Sequence, residues 1–173
     1  MLAERMMNAI RILGLDPGLR RTGWGVIALD GARLSHIAHG VIAPLETLPF
    51  SERLLVLFEK TVEVVEAYAP HEAAIEETFV TANGSSTLKL GHARAAVMLA
   101  PARAGLSVAE YAARLVKKSL VGTGGADKTQ VAFMVRRILP AAGEASADAA
   151  DALAVAIAHA HARRIARLAG AAA

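Results

Sequence analysis

Ile12-Leu13-Gly14-Leu15-Asp16-Pro17-Gly18, followed by Thr22-Gly23-Trp24-Gly25-Val26-Ile27-Ala28, is the stretch on which the reading of the chain turns. An apolar run that ends in one carboxylate and a Pro-Gly break predicts a buried strand, a reversal and a second strand running back. A carboxylate at the mouth of a sheet is costly unless a hydrogen bond, a basic partner or a metal ion compensates it. Asp and Gly are also ordinary turn residues, so Asp16 taken alone reads equally well as a turn cap.

The neighbouring segments extend this start. Ile10 to Leu15 and Gly23 to Leu29 form the first two expected strands. Asp30-Gly31 is a hairpin-type turn, and Leu34 to Ala43 a third strand ended by Pro44. Ser51 is an expected N-cap for a helix in which Leu54, Leu55, Leu57, Phe58, Val62, Val65 and Tyr68 recur at helical spacing up to Pro70. Ala73-Ala74-Ile75-Glu76 is a short fourth strand that again ends in acid. A polar loop from Thr78 to Thr87 precedes a helix over Leu88 to Arg103, a strand over Leu106 to Glu110 and a basic helix over Ala112 to Leu120. Asp127 to Leu139 is a further helix, and Ser146 or Asp148 opens the last, which runs to about Leu168. A three-strand meander followed by alternating helix and strand predicts a layered α/β fold with a mixed sheet.

Bulk properties narrow the function classes. The 173 residues suit one domain with a sizeable core. Residues 10–168 are read as that domain, 1–9 as a flexible extension and 169–173 as a tail. No run approaches the roughly 18 apolar residues of a membrane span, and the first eight residues do not have the form of a secretory signal. The absence of cysteine excludes a disulfide framework, a thiolate metal site and a thiol nucleophile, and suits a cytoplasmic protein. A net charge of +3 is compatible with a polyanionic partner without establishing one. Its distribution says more, with Arg114, Lys117, Lys118 and Lys128 in the middle third and Arg163, Arg164 and Arg167 at the end.

Four acids stand where elements begin or end. Asp16 closes the first strand and Glu76 the fourth; Asp148 and Asp151, three apart, share one face at the head of the last helix. If the first and fourth strands are parallel neighbours, all four converge at one sheet end. Converging acids repel unless a cation lies between them, and an oxygen-only set suits Mg²⁺, with Mn²⁺ as substitute. Two such ions can clamp the attacking and leaving oxygens of a phosphodiester. Asp148 and Asp151 also read simply as acids favoured by the helix dipole. His159 and His161, two apart, are expected on the surface of the last helix rather than on a metal.

The ordered set of motifs resembles the RuvC family of bacterial Holliday-junction resolvases. The likeness is carried by Leu15-Asp16-Pro17-Gly18 with Thr22-Gly23-Trp24-Gly25, Ala74-Ile75-Glu76 and Leu88-Lys89-Leu90-Gly91. It continues through Tyr111-Ala112-Ala113-Arg114, Val116-Lys117, Val121-Gly122, Lys128 and Ala147 to Ala154, and covers Ile10 to Arg163. It departs at Ala95-Ala96, where relatives often have glycine.

The resemblance implies an RNase H-like fold, a five-stranded mixed sheet flanked by helices on both faces. It also implies a homodimer that nicks opposite strands of four-way junction DNA in recombination and repair, and a complex with the branch-migration helicase. The family's catalytic acids fall on Asp16, Glu76, Asp148 and Asp151, its lysines on Lys117 and Lys128, and its substrate-facing aromatic on Phe79. An exposed Phe79 ring can stack on an unpaired base, although a large apolar side chain is often buried instead. Asn83 and Ser85 are candidate phosphate contacts, and Lys89, Arg94, Arg114 and Lys118 further candidate DNA contacts.

Three rivals remain. Actin-like ATPases and sugar kinases also open on an Asp-x-Gly turn, but their second phosphate loop and adenosine motif are not found here. A single-domain nuclease of ribosomal RNA precursors is closer, but the segment from Tyr111 to Lys118 favours the junction enzyme. A catalytically silent junction binder is disfavoured by the presence of all four acids.

Overall fold

The computed structural model describes residues 9–77 and 82–171. Five strands, β1 (Ile10–Asp16), β2 (Thr22–Asp30), β3 (Arg33–Ile42), β4 (Glu72–Glu76) and β5 (Val108–Tyr111), form one sheet in the order β3-β2-β1-β4-β5. The three-strand meander is antiparallel, whereas β4 and β5 add to β1 in parallel. Parallel neighbours need a crossover. Helix α1 (Phe50–Tyr68) carries the chain from the edge strand β3 back to β4 beside β1, and α2 (Gly84–Arg103) is the crossover between β4 and β5. Then follow α3 (Ala113–Val121), α4 (Lys128–Ile138), a 3-10 turn (Pro140–Ala142) and α5 (Ala147–Ala171).

Alternation along the strands gives the sheet two apolar faces. Leu13, Leu15, Val26 and Ile75 pack under α1 and α2, against Leu57, Val65 and Val97. Ile12, Ile27 and Ala74 pack under α5, which α3 and α4 flank through Val116, Leu120, Val131 and Val135. The sheet is thus covered by helices on both sides, as the sequence implies. No helix among the described residues is long and apolar enough to cross a membrane.

Helix α5 lies almost on the sheet backbone because both partners are small. Ala149, Ala150, Ala152, Ala154, Ala156 and Ala158 are buried. A Cβ on Gly14 would come within 2.1 Å of the Ala152 carbonyl oxygen, and one on Gly23 within 1.9 Å of the Asp148 carbonyl oxygen. Backbone atoms cannot step aside as a side chain can. Gly14→Ala should therefore lose about 3 kcal/mol or more of stability, read as a fall in the urea midpoint.

Several boundaries differ from the sequence reading, each for a local reason. Asp30 pairs with Arg33, so the β2–β3 turn is Gly31-Ala32, with Gly31 at φ +60°, one residue later than expected. Helix α1 begins at Phe50 behind the extended Pro49, and Ser51 lies inside its first turn without capping it. Helix α2 begins at Gly84 rather than Leu88, because the Asn83 side chain accepts from Ser86 N at 3.1 Å and turns the polar loop residues into a capped first turn. Asp127 is the N-cap of α4, in a capping box with Gln130.

The two histidines of α5 are tethers, not surface decoration. His159 Nδ1 lies 2.9 Å from Tyr111 Oη, and Nε2 lies 2.8 Å from Glu72 Oε2. Arg163 completes the chain by donating to Glu72 Oε1 at 2.8 Å. Burial alone would raise the Glu72 pKa, but the Arg163 and His159 hydrogen bonds and charges outweigh it and hold the carboxyl below its usual range. His161 Nδ1 lies 2.9 Å from Ser119 Oγ, joining α5 to α3.

Candidate active site

The strand ends bring the first two acids together. Leu15 pairs with Ile75 across the parallel β1–β4 seam, so Asp16 and Glu76 follow side by side at the same sheet end. Each lies two residues after a small residue, Gly14 or Ala74, that faces α5, and so each projects toward that helix. The first turns of α5 add Asp148 and Asp151. Asp148 is held over β2 by the close approach of its carbonyl to Gly23, whose register partner on β1 is Asp16.

Electrostatics shows that the four acids sense one another. The Asp16 carboxyl is pushed up to about 7, first by burial and then by the charges of Glu76, Asp151 and Asp148, against an opposing pull from Lys128. Glu76 also rises to about 7, through burial and Asp151, opposed by Lys117 and Lys128. The outer pair is held by cations. Lys128 Nζ lies 3.3 Å from Asp151 Oδ2, and Arg21 Nε donates to Asp148 Oδ2 at 2.6 Å. The Asp151 charge in turn raises the Lys128 pKa. Among the described residues no three acidic or histidine side chains stand in a ligating arrangement.

The turn itself is held by Thr22, not by Asp16. The buried Thr22 hydroxyl accepts from Gly18 N at 3.1 Å and donates to Gly18 O at 2.8 Å. The Asp16 carboxylate is left for the cluster.

The remaining residues singled out from the sequence divide. Lys128 contacts Asp151, and the charges of both Lys117 and Lys128 act on Glu76. Lys89 lines a groove that opens from Asp148. Arg94 is engaged within the fold: Nε donates to Glu76 O at 3.1 Å, and its guanidinium pairs with Glu110, tying the ends of β4 and β5 together. Asn83 caps α2, and Ser85 is exposed in that helix's first turn. Arg114 packs along Gly124 in the loop between α3 and α4. Lys118 lines a separate groove between α3 and α5 beside Leu115 and His161, away from the acids. Phe79 lies outside the described residues. Arg21 and Arg53 also stand near Asp148, and the only sequence signal for them is the Arg20-Arg21 pair soon after the strand-end acid.

The sheet order and its flanking helices are those of the RNase H-like class, with acids gathered at one sheet end. The family model for crossover junction endodeoxyribonuclease RuvC matches residues 12–159. The chain belongs to the RuvC family, the Holliday-junction resolvases. It is 64% identical over 154 residues to the crossover junction endodeoxyribonuclease RuvC of Caulobacter sp. (strain K31), covering 87% of this chain and 91% of that one. To the RuvC of Maricaulis maris (strain MCS10) it is 65% identical over 167 residues, covering 96% and 100%. Its fold matches that of a T. thermophilus RuvC in complex with Holliday junction substrate at a TM-score of 0.84 and 34% identity, covering 91% of this chain and 96% of that one. The yeast mitochondrial resolvase Ydc2, at 14% identity and a TM-score of 0.61, shares the fold.

Proposed function

We propose that this resolvase cuts its junction with Asp16, Glu76, Asp148 and Asp151 around a Mg²⁺-type cation, in the cytoplasm and alongside a branch-migration helicase. The observation that carries the metal reading is the raised pKa of both Asp16 and Glu76. Neighbouring half-buried carboxyls that resist ionisation offer hard oxygen donors to a divalent ion, and the set holds no nitrogen or sulfur. Once bound, such an ion polarises the scissile phosphodiester and offsets its charge.

The chain's own groups supply the rest. A carboxylate oxygen of Asp16 or Glu76 accepts a proton from the attacking water. The water oxygen bonds to phosphorus, the bond from phosphorus to the 3′ oxygen breaks, and that oxygen takes up a proton. The ends are then a 5′-phosphate and a 3′-hydroxyl. Lys117 and Lys128 flank the acids and stabilise the negative charge that builds on phosphorus. The test is to incubate the protein with a synthetic four-way junction and a matched duplex, with Mg²⁺ or with chelator. Paired symmetric nicks on the junction alone, only with Mg²⁺, support the reading; equal treatment of both substrates overturns it.

Paired nicking calls for two active sites, and α2 offers a surface for a homodimer. Its inner face packs through Ala93, Val97 and Ala100, whereas Leu88 and Leu99 remain 65% and 58% exposed on the outer side, with His92 and Ala95 between them. An apolar stripe of this kind suits a second copy of the same helix. Leu99→Glu should convert dimer to monomer in light scattering and replace paired nicks by single ones.

A further inference from the structure

The turn after Asp16 carries a second charge centre that the acid cluster does not explain. The two Thr22–Gly18 hydrogen bonds close this turn, and a Cβ on Gly18 would meet the Arg21 carbonyl oxygen at 2.3 Å. The Arg21 backbone is thereby fixed two residues from Gly23, where α5 touches the sheet. Its Nε reaches Asp148 Oδ2, a pair with side chains 54% and 32% exposed.

Asp148 faces two ways. On one side its charge acts on Asp16. On the other it opens into a groove of about 660 Å³ whose lining includes Arg20, Arg21, Arg53, Ser86 and Lys89. Four cationic side chains thus share this groove with one acid from its lining. Arg20 meets Glu46 only loosely, at 3.5 Å. Arg53 Nη2 donates to Leu19 O at 3.0 Å, while its Nε is buried without a hydrogen-bond partner. Such a lining suits a backbone phosphate.

We propose that Arg21 is an exchangeable counter-charge, paired with Asp148 in the metal-free protein and transferred to a DNA backbone phosphate in this groove when a divalent cation takes Asp148. The inference rests on the nuclease reading and assigns a strand path on the side of the acids away from Lys117 and Lys128. A guanidinium and a divalent ion repel each other and compete for the same carboxylate oxygen. Once displaced, the planar guanidinium can bind a phosphate through two parallel hydrogen bonds. Metal and DNA then each favour the other's binding, and Arg21 carries the coupling.

The experiment has two arms. Mn²⁺ is titrated into DNA-free wild-type, Arg21→Gln and Arg21→Lys protein, with free Mn²⁺ followed by electron paramagnetic resonance. Junction affinity is then measured by fluorescence anisotropy with Ca²⁺ or with chelator, and a gel confirms that the junction stays intact. Arg21→Gln should bind Mn²⁺ about threefold or more tightly and lose the gain in junction affinity that Ca²⁺ gives the wild type. Arg21→Lys should keep part of both effects. A substitution that merely loosened the turn would weaken Mn²⁺ binding instead. Unchanged or weaker Mn²⁺ binding by Arg21→Gln, or an undiminished Ca²⁺ gain, overturns the exchange. A wild type that does not prefer the junction to duplex overturns the nuclease reading beneath it, in a separate measurement.

Discussion

Asp16→Asn protein should bind a four-way junction with nearly the wild-type affinity and cut it slower by a factor on the order of 10³ or more. The two effects separate because they depend on different groups. Affinity comes from cations spread over a wide surface and depends strongly on salt. On the proposed reading, cutting depends on the Asp16 carboxylate, which stands at the end of the central strand β1 where no other acid of the set can take its place. The pair of measurements is a gel assay of nicking with Mg²⁺ and a binding isotherm in chelator. Normal nicking by Asp16→Asn would remove Asp16 from the site.

The same substitution should stabilise the metal-free protein. Asp16 titrates at about 7 in the fold against an ordinary 3.8, so the folded chain holds its proton more tightly than the unfolded chain does. Above pH 7 the folded state must carry a charge that burial and three neighbouring acids oppose. That penalty is complete at pH 8, shrinks as pH falls through 7 and is gone below about 4. Asp16→Asn should therefore exceed wild type by about 2–4 kcal/mol at pH 8, with the advantage fading toward pH 4. Comparing the two proteins at each pH isolates Asp16 together with the acids and the lysine coupled to it. Saturating Mg²⁺ should close the gap at pH 8, because a ligand that binds the folded wild type stabilises it by mass action. Urea midpoints at three pH values, with and without Mg²⁺, decide the matter.

The sequence was most legible where local pattern and long-range placement agree. The apolar strands β1 and β4 each end in acid, while their parallel pairing, with β2, β3 and α1 intervening in the chain, is legible from sequence only as a condition. The start of α2 was hidden because Ser85 and Ser86 look like loop, and only the Asn83 cap reveals them as a first turn. His159 and His161 were misplaced for a different reason. Two histidines two residues apart lie on different faces of a helix and so do not look like a buried pair, but α5 is buried nearly all round from Ala149 to Ala160. Charge pattern alone does not reveal that the Arg94 guanidinium is engaged by the Glu76 carbonyl and by Glu110. Arg21 escaped notice because its partner is 127 positions away. No periodicity reports such a contact.

The contact of α5 with Gly14 and Gly23 also governs how the chain can change over evolutionary time. Most cores drift by compensation, one side chain growing as its neighbour shrinks. Where main chain meets main chain there is no neighbour to shrink. The spacing of Asp148 and Asp151 from Asp16 is therefore referenced to a rigid datum, which rotamer hopping does not blur. Substitutions should accumulate freely on the outer faces of α1 and α4 while this seam stays fixed. An engineer seeking a more stable variant should leave the seam alone and work at the periphery.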